Sequence, residues 1–408
     1  MADGGRPSVL MTVEQIRRAV PGGIGAYARG ILSGLAALDT EGADPEGAPP
    51  SASPAASPPA SPPASLPASG VDVTLYASRA PRLGAGEADP LRQFGLPVIL
   101  SRLPGPLMTR AWDHRLLSAP PGFDIVHSVS LAFPPQPARR GGHAVITVHD
   151  LAWRRYPDAT TKRGRKWHET SLRRAEHSEA RLIVTSGFVA ADLITDGVDE
   201  ARIAIVHGGS DHLAAPDEPA TDATLRRLGV VGEFVLTVGT LEPRKNVQRL
   251  LEAYRLVRPT LPEPWPLLVV GPEGWGPALS RNLHQEGVTF AGGVSDGVLA
   301  GLYRRARAFA YVPLTEGYGL PPLEAMRLGT PSVVAREVPS VHDLDQTGEP
   351  AVRLVDPFDI EEIAAGLFSV LTDEALRADL SARGEAYSGA RTWKAAAEAH
   401  LRLWTGLA

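Results

Sequence analysis

The chain of 408 residues contains no cysteine. Disulfides, cysteine-ligated zinc and a thiol nucleophile are thereby excluded, whatever compartment the protein occupies. It also lacks a basic excess, since 41 lysines and arginines face 46 aspartates and glutamates. The resulting net charge of -5 argues against nucleic acid as a partner, which needs a strongly positive surface. No apolar run approaches the ~20 residues required to cross a bilayer. The opening Met1 to Pro7 is polar and leads straight into Val9–Val13, without the apolar core and cleavage site of a secretory signal. These absences lead to the expectation of a cytoplasmic protein, touching a membrane only from its inner face.

What is present is an α/β pattern too long for one ordinary core. Short apolar runs alternate with amphipathic helices, the signature of parallel sheets. One series of strand candidates comprises Val9–Val13, Val71–Tyr76, Ile125–His127, Ala144–Val148, Arg181–Thr185 and Ile203–Val206. A second begins at Phe234–Val238 and continues with Leu267–Val270, Val288–Ala291, Ala308–Val312, Ser332–Ala335 and Ala351–Val355. The polar stretch Ala214 to Thr224 reads as the linker between two doubly wound domains, at residues 1–213 and 225–385. Residues 41–70, rich in Pro, Ala and Ser, cannot bury enough apolar surface to order themselves and read as a disordered insertion. Thr392 to Trp404 reads as an amphipathic helix with Trp393, Ala397, Leu401 and Trp404 near one face.

The most informative segment runs from Pro313 to Pro331. It follows a buried strand, and Pro321 and Pro322 suit the first turn of a helix, where a missing N–H costs nothing. Gly317-Tyr318-Gly319-Leu320 thus lies between a strand end and a helix N-terminus, with Glu316 before it and Glu324 in the first turn. Such a loop can aim backbone N–H groups at phosphate oxygens, while ionised carboxylates accept from sugar hydroxyls. Taken singly, Glu324 could merely complement the helix dipole and the glycines merely make a turn. Earlier, Arg244 and Lys245 form a cationic pair at another strand end, between Val238 and the helix Val247–Val257. Arg grips phosphate with two donors and Lys acts as a point charge. Gly22 and Gly23 open the helix that runs to Leu38, in a turn lacking the full dinucleotide-binding spacing. His149 ends a strong strand in Thr147-Val-His149-Asp150, His127 ends another and is a weaker candidate for a ligand cleft, and Ser186 sits where a helix N-cap would. Between Arg154 and Arg174 lie eight cations: Arg154, Arg155, Lys162, Arg163, Arg165, Lys166, Arg173 and Arg174. They read equally as a solvated face or as a patch for anionic lipid or a phosphorylated acceptor.

Together, Glu316-Gly-Tyr-Gly-Leu-Pro-Pro-Leu-Glu324 and Glu242-Pro-Arg244-Lys245-Asn246 resemble the two-glutamate and diphosphate-clamp motifs of retaining GT-B glycosyltransferases of family four. The resemblance implies two Rossmann-like domains facing each other across a cleft, with residues 386–408 crossing back to the N-terminal domain. It implies that Arg244 and Lys245 stabilise the donor diphosphate, Glu316 the donor sugar and Glu324 the ribose. Gly317, Tyr318, Gly319 and Leu320, with Gly22 and Gly23, would approach the donor. His149 would hydrogen-bond the donor sugar or orient a glycan or lipid-linked acceptor. Asp343-Leu-Asp345 falls in a polar loop of the family, so no metal and no cofactor are expected. These segments look most like bacterial mannosyltransferases of polysaccharide assembly, which points to GDP-mannose, with a UDP- or dTDP-sugar as the alternative donor. From other classes, a nicotinamide oxidoreductase and a non-catalytic sugar-nucleotide-binding protein remain open.

Overall fold

The computed structural model describes residues 6–18, 22–41, 70–79, 89–135, 142–272, 274, 285–342 and 349–408. All but the end residues of the Pro/Ala/Ser stretch, and Asp343-Leu-Asp345, lie outside them. In the first half, β1 (Ser8–Thr12), β2 (Asp72–Ala77), β3 (Val98–Leu100), β4 (Ile125–Ser128), β5 (His143–Val148), β6 (Arg181–Val184) and β7 (Ile203–Ile205) form one sheet. Its order is β3-β2-β1-β4-β5-β6-β7. In the second half, β8 (Val235–Val238), β9 (Leu267–Val270), β10 (Val288–Gly292), β11 (Ala308–Tyr311), β12 (Ser332–Ala335) and β13 (Arg353–Val355) follow the order β10-β9-β8-β11-β12-β13. All the strand pairs are parallel. Central strands such as Leu-Leu-Val-Val in β9 and Ser-Val-Val-Ala in β12 are buried throughout, because helices cover both faces of a parallel sheet. In each sheet the winding reverses beside its first strand, between β1 and β4 and between β8 and β11. Open α/β sheets bind ligands in the crevice at that reversal.

The first domain carries α1 (Gly22–Glu41), α2 (Gly105–Asp113), α3 (Ala152–Arg155), α4 (Lys162–Glu176) and α5 (Gly187–Thr195). The second carries α6 (Glu218–Leu228), α7 (Val247–Val257), α8 (Asp296–Arg305), α9 (Leu320–Arg327), α10 (Pro339–His342), α11 (Ile360–Thr372) and α12 (Glu374–Gly389). Two expected boundaries move. The polar stretch expected as a linker becomes helix from Glu218 onward, because Asp217 accepts the Ala220 N–H at 3.0 Å and caps it. That helix packs on α8, with Gly301 set against Thr221 and Arg305 paired with Glu218, so only 214–217 of the expected linker remains as the first crossing between the domains. At the other end α12 continues to Gly389 instead of stopping at 385, packed through Gly384 on Met326 of α9.

The chain then crosses back as α13 (Trp393–Thr405), capped by Thr392. Gly30 and Gly34 of α1 admit it: a Cβ at either would strike the Trp393 ring or its carbonyl. Trp393, Ala397 and Trp404 join the core formed by Val9, Ile31 and Leu75. Deleting either buried indole would cost roughly 3–5 kcal/mol. The two crossings are tied together, since the Ser210 hydroxyl lies 3.0 Å from the carbonyls of Ser388 and Arg391 and Asp211 accepts the Trp393 N–H at 2.8 Å.

Candidate functional site

Arg244, Lys245 and Glu316 come together at the reversal point of the second sheet, although 71 residues separate Lys245 from Glu316. The first two leave β8 in a short 3-10 turn, Pro243–Lys245, and Glu316 leaves the neighbouring β11. Glu316 Oε1 is 2.6 Å from Lys245 Nζ and Oε2 is 2.9 Å from Arg244 Nη1. Burial pushes the Glu316 carboxyl up, but Arg244 and Lys245, with a hydrogen bond from Tyr311, override it and hold the group at about 2. Burial likewise opposes the charge on Arg244, and Glu316 and Glu242 raise it above the ordinary guanidinium value. The carboxylate is therefore ionised at any physiological pH, facing two cations in a nearly dry setting.

Asn246 fixes this turn. It adopts φ 56°, in the left-handed region that Asn tolerates better than most residues. Its Nδ2 donates to the carbonyls of Val312 at 2.9 Å and Pro357 at 2.8 Å, clamping the Arg-Lys turn to the end of β11. The Leu314 N–H donates to the Arg244 carbonyl at 2.9 Å, which joins the same two strand ends. Sequence reasoning misses Tyr311, whose hydroxyl accepts from Lys245 Nζ at 2.8 Å and donates to Glu316 at 2.9 Å. It ends an apolar strand and so reads as core, with no local signal to betray it. Glu242, which holds Arg244 at 2.6 Å, is visible in the sequence only as part of the motif.

Glu324 stands apart from this cluster. Its Oε2 accepts from the Tyr303 hydroxyl at 2.9 Å and its Oε1 lies 3.1 Å from His212 Nε2. His212 Nδ1 in turn accepts the Trp393 indole N–H at 3.1 Å, so Nε2 is the nitrogen that donates to Glu324. The second glutamate is thus linked through His212 to the first residue of the crossing helix. A ribose hydroxyl would have to use the lone pairs these bonds leave on the carboxylate.

The loop between the glutamates forms the seam between domains. A Cβ on Gly317 would run into the His149 carbonyl. The Thr185 hydroxyl lies 3.1 Å from that carbonyl and 3.2 Å from the Gly317 carbonyl, sharing one proton between the domains. Tyr318 stacks on His207 with centroids 5.5 Å apart. Gly319 takes φ 97° at the start of α9, and its carbonyl accepts from Ser340 at 2.6 Å. Leu320 packs against both domain cores. One small cavity beside Glu316, lined by Phe188 of the first domain and Glu337 of the second, holds about 10 Å³, enough for one water at most.

On the first-domain side, His149 Nε2 donates to the Val129 carbonyl at 2.7 Å, which leaves Nδ1 as an acceptor. Burial lowers its pKa, so the ring is neutral near pH 7. It lines a cleft of about 1080 Å³ together with Ile24 of α1. Gly22, with φ 61°, and Gly23 are exposed at the start of that helix. His127 does not reach the cleft, contrary to expectation. It is fully buried, stacked on His400 at 5.4 Å and bonded to Thr147 at 3.0 Å, because α13 covers the end of β4. Ser186 is the helix cap its position indicated, accepting from the Val189 N–H. The basic stretch separates into two groups. Arg154 pairs with Glu169 and Asp196, Arg155 with Asp192, Arg173 with Glu169, and Arg174 donates to the carbonyls of Trp112 and Phe133. Lys162, Arg163, Arg165 and Lys166 have no carboxylate within ion-pair distance among the described residues. Also among the described residues, no three His, Asp or Glu side chains converge as a metal would require.

Two family models match the chain: "Glycosyl transferases group 1" over residues 230–387 and "Glycosyltransferase Family 4" over residues 64–212. O-antigen chain mannosyltransferase B of Escherichia coli is 30% identical over 264 residues, 62% of this chain and 67% of that protein. Serotype-specific mannosyltransferase WbdA of Escherichia coli is 33% identical over 180 residues, 42% of this chain but only 21% of its own length. Among solved structures, sucrose-phosphate synthase from Thermosynechococcus elongatus superposes with a TM-score of 0.69 at 19% identity, covering 98% of this chain and 99% of that one. Anabaena Alr3699/HepE, in complex with UDP and glucose, gives a TM-score of 0.66 at 17% identity, covering 98% and 100%. At such identities the superpositions establish a shared two-domain fold.

Proposed function

The chain belongs to the glycosyltransferases of family four, and from that membership we propose that it moves mannose from GDP-mannose to a glycan or lipid-linked acceptor during envelope polysaccharide assembly, with retention of anomeric configuration. The observation that carries this reading is the Arg244–Lys245–Glu316 cluster at the reversal of the second sheet. As the anomeric C–O bond breaks, negative charge gathers on the departing diphosphate and positive charge on the sugar. Two fixed cations stabilise the diphosphate without reorganising solvent, the strongest catalytic effect open to such a site. Glu316, released from part of its pairing, accepts from a sugar hydroxyl, and His149 accepts another through Nδ1. The reading calls for no metal, because Arg244 and Lys245 occupy the electrostatic role an ion would have. The choice of mannose rests on the mannosyltransferases among the relatives.

The proposal extends to peripheral contact with an anionic membrane through Lys162, Arg165 and Lys166, which have no ion-pair partner among the described residues near the start of α4. Salt-sensitive binding to anionic liposomes, lost on charge reversal at those positions, is the expected result. The donor is tested by measuring nucleoside diphosphate release and product mass with GDP-mannose, UDP-glucose and a dTDP-sugar on a mannose-terminated oligosaccharide. GDP release with a hexose added to the product is expected. Preference for UDP-glucose would replace the donor, binding without transfer would make the protein a sensor, and a melting temperature unmoved by every nucleotide sugar would defeat the glycosyltransferase reading.

A further inference from the structure

The cleft beside His149 is unlike a site for a neutral sugar alone. Three arginines reach it from three different elements: Arg18 after β1, Arg110 on α2 and Arg163 on α4. All three are exposed, and none has a carboxylate within ion-pair distance among the described residues. The same wall carries Glu14, Asp113 and Asp150, which balance the arginines in a formal count. Their hydrogen bonds set them apart, however. Glu14 is taken by the Ser78 N–H at 2.8 Å and hydroxyl at 2.9 Å, Asp113 by the Trp167 indole at 2.8 Å, and Asp150 by the Ala152 N–H at 3.0 Å. Each acid is bonded to the wall through at least one oxygen, and Asp113 also faces Arg174 at 3.7 Å, whereas the three guanidinium groups have no carboxylate beside them among the described residues.

Two helix starts add to this field. Gly105 of α2 and the Thr161 cap of α4 both line the cleft, and neither helix has an acidic residue in its first turn. In α4 the first turn instead carries Lys162 and Arg163, where positive charge opposes the helix dipole and costs stability. An anion in the cleft would offset that cost and satisfy the arginines bidentately. The Trp167 ring, also lining the cleft, supplies the flat apolar face on which a sugar ring packs.

We propose that this cleft binds an acceptor sugar through a phosphoryl group, held by Arg18, Arg110 and Arg163. The inference rests on the glycosyltransferase reading and deepens it by naming the acceptor class. It applies equally to a free sugar phosphate and to a sugar on a lipid diphosphate.

The test uses the full chain in saturating GDP, UDP and dTDP, so that the Arg244–Lys245 clamp is filled. Inorganic pyrophosphate and a short-chain polyprenyl diphosphate are then titrated separately, with tryptophan emission as the readout. Both should bind, and Arg110→Gln with Arg163→Gln should weaken binding by about tenfold for each guanidinium removed, the value of a charge-assisted hydrogen bond. Binding of both probes with equal affinity assigns recognition to the phosphate alone, and tighter binding of the polyprenyl form assigns it to a lipid-linked acceptor. Affinity unchanged in the double variant, or no binding of either probe to the wild type, overturns the proposal. Failure of GDP, UDP and dTDP all to bind overturns the glycosyltransferase reading instead, and is scored separately by their own thermal shift.

Discussion

Glu316 lies 2.6 Å from Lys245 and closes the cationic site with the protein's own carboxylate. Without donor, the internal carboxylate occupies the electrostatic place of a phosphate, and an incoming diphosphate must share or displace it. Glu316→Gln should therefore separate binding from chemistry. The amide keeps the shape, frees the cations from their competitor and removes the charge that faces the sugar. We expect kcat to fall by a factor of at least about 100, the usual scale for one preorganised electrostatic group. The Kd for GDP should stay equal or tighten. Weaker GDP binding with kcat intact would mean that Glu316 only supports the fold.

Lys245→Ala should act in the opposite sense. It removes one of two charges aimed at the diphosphate, so GDP affinity falls and the thermal shift produced by GDP-mannose shrinks. It also leaves Glu316 with Arg244 and Tyr311 alone. A buried carboxylate that loses a partner is destabilising by roughly 3–5 kcal/mol when no other cation remains. With Arg244 still at 2.9 Å the loss should be well below that figure. The double variant Lys245→Ala with Glu316→Gln should recover stability but not activity, which a thermal melt and a transfer assay would distinguish. Recovery of transfer in the double variant would contradict the assigned role.

The doubly wound architecture is legible in the sequence because buried parallel strands are short apolar runs punctuated by turn residues, as Leu267–Val270 and Ser332–Ala335 show. Strand β3 escapes notice for the opposite reason. Val98–Leu100 is a three-residue edge strand whose Leu100 is 44% exposed, so it carries little apolar signal. Asp217 ahead of Glu218-Pro219 is a readable helix start, obscured by the polar composition that makes the segment look like a linker. Arg244, Lys245 and Glu316 are found because charged residues at strand ends stand out. Tyr311, Tyr303 and His212 are not: Tyr311 meets Lys245 across 66 residues only through the strand order β8-β11, Tyr303 reads as the apolar face of a helix although Glu324 follows 21 residues later, and His212 meets Trp393 only because α13 returns.

Gly317 is the position where the loop between the glutamates meets the first domain, and its missing side chain makes room for the His149 carbonyl. Gly317→Ala places a methyl group in that space. The domains must then separate slightly, breaking the shared Thr185 hydrogen bond. Each domain retains its own core, so the melting temperature should change little. Transfer should fall by about 100-fold, since small misplacements of reacting groups are amplified in this way. Small-angle scattering should show a more open particle. Wild-type kinetics in Gly317→Ala would remove the seam from any role in catalysis.

The buried His400 ties α13 to α1 and makes that packing sensitive to acid. Its Nδ1–H donates to the Ala396 carbonyl at 2.8 Å, so Nε2 must accept from the Tyr27 hydroxyl at 2.9 Å. A second proton would abolish that acceptor and charge a group with no exposure. Burial depresses the His400 pKa to about 4, partly opposed by its bond to Ala396, whereas the unfolded chain has the ordinary 6.5. Between those values the unfolded state binds the proton and the native state does not, so stability falls as pH drops. The contribution is fully present above pH 6.5 and is lost progressively down to about 4, amounting to about 3 kcal/mol over that interval. His127 lies against His400, and its own pKa is pushed well below the ordinary value by burial first and by its histidine neighbours second, which adds to the slope. Urea unfolding at pH 7.0 and pH 5.0 should show the wild type losing stability, and His400→Gln, whose side-chain oxygen can still accept from Tyr27, losing clearly less. An equal loss in both proteins would place the acid sensitivity elsewhere.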